Sequence, residues 1–350
     1  MRNELHFQIP APDEAAAAAA RARWDSLAKP LGSLGLLEDA IVQIAALTGS
    51  ASVSLKPRAL LVFCADNGVV AQGVAQCGSE VTAAVAAALS QGRSAACRMA
   101  RLAACAVRAV DVGMVSPTPP GVLDRHVMRG TNDITQGPAM TREQCLSAIC
   151  AGASLAKEQM RAGVKLLAVG EMGIGNTTTA SAVTASLLGL PAETVAGRGA
   201  GLSDEGLRRK RRAIETALRL NAPDADDPVD VLTKVGGLDL AAMCGAYLGA
   251  ATARLPVLID GFVSAAAALC AVRLSPEAAS AMLASHVSAE PAGRLLLKAL
   301  GKRALIDAGL RLGEGSGAVA AMPLLDMALA VYSAGETFSD RGIEPYIKLS

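Results

Sequence analysis

The sequence predicts an α/β fold in which a mostly parallel sheet carries helices on both faces, and three observations point to it. From residue 56 onward, four short apolar runs each end on a carboxylate and then a glycine-bearing turn: 59–66 ends on Asp66, 105–111 on Asp111, 165–171 on Glu171 and 256–260 on Asp260. Alanine-rich stretches of helical length separate them, so each strand returns to the sheet through a crossover that pairs it in parallel. The 350 residues are 52% apolar yet hold only 1 Trp, 3 Tyr and 4 Phe. The interior must therefore be Ala, Val and Leu packed closely, as helices against a parallel sheet allow.

Ahead of the sheet, residues 13–28 predict a helix. Asp13 and Glu14 open a run of six alanines, and Arg21, Arg23 and Lys29 suit the negative end of its dipole. The segment Lys29-Pro30-Leu31-Gly32-Ser33-Leu34-Gly35 interrupts it, and a second helix follows at about 36–48. Residues 117–121 and 221–230 are rich in Pro and Asp and predict surface loops. In sheets of this kind ligands bind beyond the carboxyl ends of the strands, where all four acids fall, although each could instead cap a helix.

Lys plus Arg exceed Asp plus Glu by one, 33 against 32. Such a balance gives no broad positive field for nucleic acid or an anionic membrane, so a small-molecule partner is expected. The eight cysteines are scattered without a CxxC pair and read as small buried hydrophobes in a reducing cytoplasm. His6, His126 and His286 stand far apart in sequence, so neither a His-rich metal centre nor a structural zinc is expected. Met1–Pro12 lacks the apolar core of a secretory signal. The uncharged stretch Met172–Ala192 carries Asn176, three threonines, glycines and Pro191, and is not read as a membrane span.

Three glycine turns hold the chemistry. In Gly170-Glu171-Met172-Gly173-Ile174-Gly175-Asn176-Thr177, between a strand and a helix, glycines let main-chain N–H groups approach an anion at a helix N-terminus. That reads as a phosphate cradle; a plain helix cap by Asn176 or Thr177 is the alternative. It is not a P-loop, because no Gly-Lys-Ser/Thr follows. The second turn, Gly197-Arg198-Gly199-Ala200-Gly201, precedes a helix beginning near 204, whose apolar face is Leu207, Ile214 and Leu218. Lys210 and Arg211 fall on the margins of that face, while Arg208, Arg209 and Arg212 point away. Lys210 either snorkels or aims its ammonium at a phosphate. In the third turn, Gly313-Glu314-Gly315-Ser316-Gly317, an acid between glycines has little structural reason to be there and reads as catalytic.

Five segments, Lys29–Gly35, Asp66-Asn67-Gly68-Val69, Gly130-Thr131-Asn132, Gly170–Thr178 and Gly313–Gly317, occur in collinear order across nearly the whole chain. Together they resemble the nicotinate-nucleotide:dimethylbenzimidazole phosphoribosyltransferase family, which activates the lower-ligand base of cobalamin. The resemblance implies attack of a benzimidazole nitrogen on C1′ of nicotinate mononucleotide, with release of nicotinate and no metal or cofactor. It implies Glu314 as general base and Glu171 as a second acid near the ribose. It places Gly173, Gly175, Asn176, Thr177, Gly199, Gly201 and Lys210 at the phosphate, and Cys77, Val85, Leu312 and Gly313 at the base. A Rossmann-like large domain over 51–314, a small helical domain from 1–50 and 315–350, and a homodimer are likewise implied. Asn67 stands where the family usually has His, and Cys77 and Val85 where it often has polar contacts to the base. Adenine, benzimidazole and a phenolic acceptor therefore stay open as the base.

Two other classes share part of the pattern. A nicotinamide-dependent oxidoreductase would use the glycine turns for a pyrophosphate and Glu193, about 20 residues on, for a ribose diol. A noncatalytic nucleotide-binding protein would keep the turns but have no need for Glu314.

Overall fold

The computed structural model describes Leu5 and residues 7–347; His6 and both extreme ends, with part of the segment read for a signal, lie outside the described residues. Among those described, six strands form one sheet: β1 (Arg58–Ala65), β2 (Cys105–Gly113), β3 (Leu123–Asp124), β4 (Leu166–Met172), β5 (Val257–Ile259) and β6 (Met282–Ala284). Their order is β3-β2-β1-β4-β5-β6, and every pairing is parallel. This is the strand order of a dinucleotide-binding sheet, and it reverses between β1 and β4, where a crevice opens at the carboxyl ends.

The helices are α1 (Glu14–Ser26), α2 (Leu36–Thr48), α3 (Glu80–Ser90), α4 (Ala95–Leu102), α5 (Arg142–Arg161), α6 (Asn176–Leu188), α7 (Ala192–Val195), α8 (Asp204–Asn221), α9 (Pro228–Val235), α10 (Leu238–Thr252), α11 (Phe262–Leu274), α12 (Gly293–Ala299) and α13 (Ser316–Ala334). Alternate residues of each strand face opposite layers. Leu61, Phe63, Leu167 and Val169 enter a core shared with α5, α6, α10 and α11, whereas Leu60, Val62, Leu166 and Ala168 meet α3, α4 and α13.

The shortage of aromatic residues is answered by close helix contact. A methyl group on Gly152 of α5 would lie 1.8 Å from the carbonyl oxygen of Ala242, and one on Gly245 of α10 would lie 1.8 Å from that of Ile149. Glycine thus brings the two backbones together and lets small side chains fill the layer at crystal-like density. A third, smaller core joins Trp24 of α1, Ile41 of α2 and Tyr332 of α13. By length and hydropathy α13 could cross a membrane. Instead its first half packs on the sheet, and its Asp326 pairs with the buried Arg58 of β1.

Two expectations are corrected. The strands β3 and β6 were not anticipated, because pairs and triplets of residues leave no apolar run to read. The loop expected over 221–230 is shorter: α8 runs through Asn221, and Asp227 caps α9, with its side chain accepting from Val229 N at 3.0 Å and Pro228 in the first turn.

Candidate active site

The four strand-end acids divide in two. Asp66 and Asp111 hold loops: Asp66 accepts Val115 N at 2.8 Å, and Asp111 accepts Met114 N at 2.8 Å and the Thr118 hydroxyl at 2.5 Å. Asp111 also comes within ligand distance of Asp124 and the exposed His126, a grouping created by strand pairing that sequence distance hides. Glu171 and Asp260 instead line a cleft of about 340 Å³ at the point where strand order reverses.

Glu171 leaves β4 toward Asn176, whose Nδ2 donates to the Glu171 carboxylate and, at 2.9 Å, to Asp239 Oδ2. Asn176 therefore does not cap α6. Gly175 does, in left-handed conformation at φ 91°, and a side chain there would meet Val70. Burial pushes the Glu171 carboxyl up to about 8, with Asp239, Asp260 and Glu314 adding to the rise against the Asn176 hydrogen bond. Burial also carries Asp239 up to about 6. Burial thus favours the neutral form of the Glu171 carboxyl in the unliganded cleft.

Glu314 faces the same cleft from the third turn. Gly313, Glu314 and Gly315 all have positive φ, 85°, 58° and 76°. A left-handed glutamate is strained by about 1 kcal/mol or more, which fits a side chain held for a task. Its N–H donates to the Glu171 carbonyl at 3.2 Å, and its Oε2 accepts the N–H of Ala96, in the first turn of α4, at 3.4 Å. Asp260 fixes the following residues by accepting Ala318 N at 3.0 Å, so this strand-end acid anchors the start of α13, while its own main-chain N–H donates to Ser264 Oγ of α11 at 3.1 Å. The His286 ring packs on Gly317, where a methyl group would lie 1.9 Å from Nδ1, and burial lowers that imidazole's pKa against the pull of Asp260.

The first two glycine turns meet. A methyl group on Gly199 (φ 53°) would lie 2.8 Å from Thr177 Oγ1. Lys210 joins them from behind, its Nζ donating to Thr177 Oγ1 at 2.8 Å and to Gly197 O at 3.0 Å. It is fully buried, so it does not snorkel, and burial lowers its pKa to about 8 while Glu290 opposes that. Arg209 also departs from expectation: it reaches back to Gly73 O at 3.1 Å.

Glu171, Glu314, Gly173, Asn176, Thr177 and Gly199 share the cleft with Cys77, Val85, Leu312 and Gly313. Gly201 lines an adjoining cavity of about 570 Å³, while Gly175 and Lys210 lie behind the surface of both. Asn67 also stays outside the cleft, its Oδ1 accepting the Thr179 hydroxyl at 3.0 Å. Sequence reasoning missed Asp239, His286, Ser288 and Glu290. Asp239 was detectable as a lone acid in the otherwise apolar helix 238–252; the others follow a three-residue strand and carry no local pattern.

A Rossmann-like sheet with paired carboxylates and glycine turns at its reversal point defines an enzyme that acts on nucleotides. The phosphoribosyltransferase family model matches residues 9–343. The nicotinate-nucleotide--dimethylbenzimidazole phosphoribosyltransferase of Acetivibrio thermocellus is 46% identical over 325 residues, covering 93% of each chain. That of Thermus thermophilus is also 46% identical, over 93% of this chain and 97% of its own. A crystal structure of CobT from Thermus thermophilus superposes with a TM-score of 0.90 at 44% identity, over 95% of this chain and all of the other. The chain belongs to the nicotinate-nucleotide–dimethylbenzimidazole phosphoribosyltransferase family.

Proposed function

We propose that the protein transfers the 5-phosphoribosyl group of nicotinate mononucleotide to 5,6-dimethylbenzimidazole or a related base, giving α-ribazole 5′-phosphate and nicotinate for cobalamin assembly. The observation that carries this reading is the pair Glu171 and Glu314, joined through the main chain in one cleft beside two glycine turns.

One azole nitrogen attacks C1′ as the bond to the pyridinium nitrogen breaks, and that electron pair leaves with nicotinate. Attack would leave the azole cationic; Glu314 accepts the proton from its other nitrogen. The sugar gains oxocarbenium character as the leaving bond stretches, and the carboxyl cluster of Glu171, Asp239 and Asp260 suits both that charge and the pyridinium cation. Arrival of a cation favours the ionised form of Glu171, so substrate binding itself would lower its raised pKa. Cys77, Val81, Val85, Met172 and Leu312 give the cleft an apolar wall that suits a flat hydrophobic base.

The glycine turns with Thr177 and Lys210 suit the 5′-phosphate, Lys210 acting through Thr177 and Gly197. Against a dinucleotide-dependent oxidoreductase, the glycine turn follows β4, whereas the dinucleotide fingerprint occupies the first strand-to-helix turn. The shared core of α1, α2 and α13 supports reading 1–50 and 315–350 as one small helical unit, though the start of α13 belongs to the large core. Six buried free thiols suit a reducing cytoplasm, and a homodimer follows the family resemblance.

Incubation of the protein with nicotinate mononucleotide and a panel of azole bases, with products identified by mass, tests the reading. Nicotinate and a new ribotide are expected; absence of nicotinate release with every base would overturn it.

A further inference from the structure

Glu290 has no role in the reaction above, yet it lines both the cleft and the adjoining 570 Å³ cavity. Its Oε1 accepts the N–H of Gly199 at 3.1 Å, a main-chain donor of the second glycine turn. Its Oε2 is buried and has no hydrogen-bond partner among the described residues. Gly197 makes the room, since a methyl group there would lie 1.9 Å from Oε2. A buried carboxylate oxygen without a donor is unfavourable, and Lys210, whose charge Glu290 faces, gives its hydrogen bonds to Thr177 and Gly197, so that charge pairing does not by itself explain this placement. A second unpartnered group belongs to the same cavity: Nε of Arg211, on α8, is buried without a partner among the described residues.

We propose that Glu290 is a resident anion of the phosphate cradle and sets its selectivity for a phosphate monoester. Its carboxylate holds the Gly199 N–H until a 5′-phosphate takes that donor, and then crosses the adjoining cavity to Arg211. Two anions cannot share one N–H in a low-dielectric cleft, so only a ligand that attracts the cradle more strongly than a carboxylate displaces it. A phosphate dianion meets that requirement, through its second charge and its additional acceptor oxygens. The proposal rests on the reading of the glycine turns as a phosphate site.

The test is calorimetric titration of the full chain with nicotinate mononucleotide and with nicotinate riboside. Wild type is expected to prefer the mononucleotide. Glu290→Gln keeps the acceptor for Gly199 but not the charge, and is expected to bind the mononucleotide about tenfold tighter with the riboside unchanged. Arg211→Ala is expected to weaken the mononucleotide alone by about tenfold, and to have no effect in the Glu290→Gln background, because the two side chains act as a pair. If Glu290→Gln leaves mononucleotide affinity unchanged, or weakens both ligands equally, the proposal is overturned while the cradle stands. Persistence of the Arg211→Ala effect in the double variant would also overturn it, by assigning Arg211 directly to the phosphate. If wild type binds both ligands equally, the phosphate reading fails and the proposal falls with it.

Discussion

The main-chain N–H of Glu314 donates to the carbonyl oxygen of Glu171 at 3.2 Å, so the two carboxyl groups of the cleft sit on backbones hydrogen-bonded to each other. One comes from the end of β4 and the other from a turn 143 residues later. Their spacing is thereby fixed by main chain, and substitution of either side chain leaves the other in place. Glu314→Gln is expected to lower kcat by about 10²-fold or more, the usual loss of a general base, with mononucleotide affinity nearly intact. Nicotinate release and calorimetric binding check it; unchanged turnover would remove Glu314 from the proton transfer.

That register depends on Gly170. A methyl group at this position of β4 would lie 2.4 Å from Gly315 N and 2.6 Å from its Cα, so the turn carrying Glu314 can approach the strand only over a glycine. Gly170→Ala is expected to push the turn outward, cost about 1–3 kcal/mol of stability as overpacking does, and reduce kcat far more than it changes KM. Thermal unfolding with steady-state kinetics checks it. A variant with wild-type kcat would show that the close approach does not govern the position of Glu314.

Burial raises Glu171 from the ordinary 4.5 to about 8, so the folded chain holds this proton more tightly than the unfolded one. The stabilising contribution is full below about pH 4.5 and is lost as pH rises through 8. Glu171→Gln keeps an acceptor for Asn176 and cannot ionise. The unliganded variant is expected to match wild type at about pH 4 and to exceed it at about pH 9 by about 2 kcal/mol, less than the whole shift would give because neighbouring acids relax with it. Thermal unfolding at the two pH values checks it; equal stability at pH 9 would mean that the carboxyl ionises freely in the fold.

The sheet was legible because β1, β2, β4 and β5 are apolar runs ending on acids, and α1 because Asp13 and Glu14 open a run of alanines. Glu314 was legible because an acid between glycines has no propensity to explain it. By contrast, Asp260 anchoring α13 is a relationship across 58 residues that no local pattern encodes. The raised pKa of Glu171 was likewise hidden, since it arises first from burial and then from neighbours such as Asp239 and Asp260, both of which only the fold supplies. Glu290 and His286 follow β6, whose three residues give no strand signal, so neither could be assigned to the carboxyl edge in advance.

Lys210 stands behind the cradle, its ammonium shared by the Thr177 hydroxyl and the Gly197 carbonyl. Its positive charge reaches the phosphate position through those two groups, and its removal also frees the contact that holds the two glycine turns together. Lys210→Met retains the stem and deletes the cation. Burial has already lowered this lysine to about 8, against an ordinary 10.5, so the buried charge is unfavourable to folding at neutral pH and its loss offsets the two hydrogen bonds given up. The variant is therefore expected to unfold within a few degrees of wild type while binding nicotinate mononucleotide about tenfold or more weakly, with nicotinate riboside affinity unchanged. Paired titrations with the two ligands, alongside thermal unfolding, separate the cases. An equal loss for both ligands would mean that Lys210 braces the cleft as a whole and does not serve the phosphate.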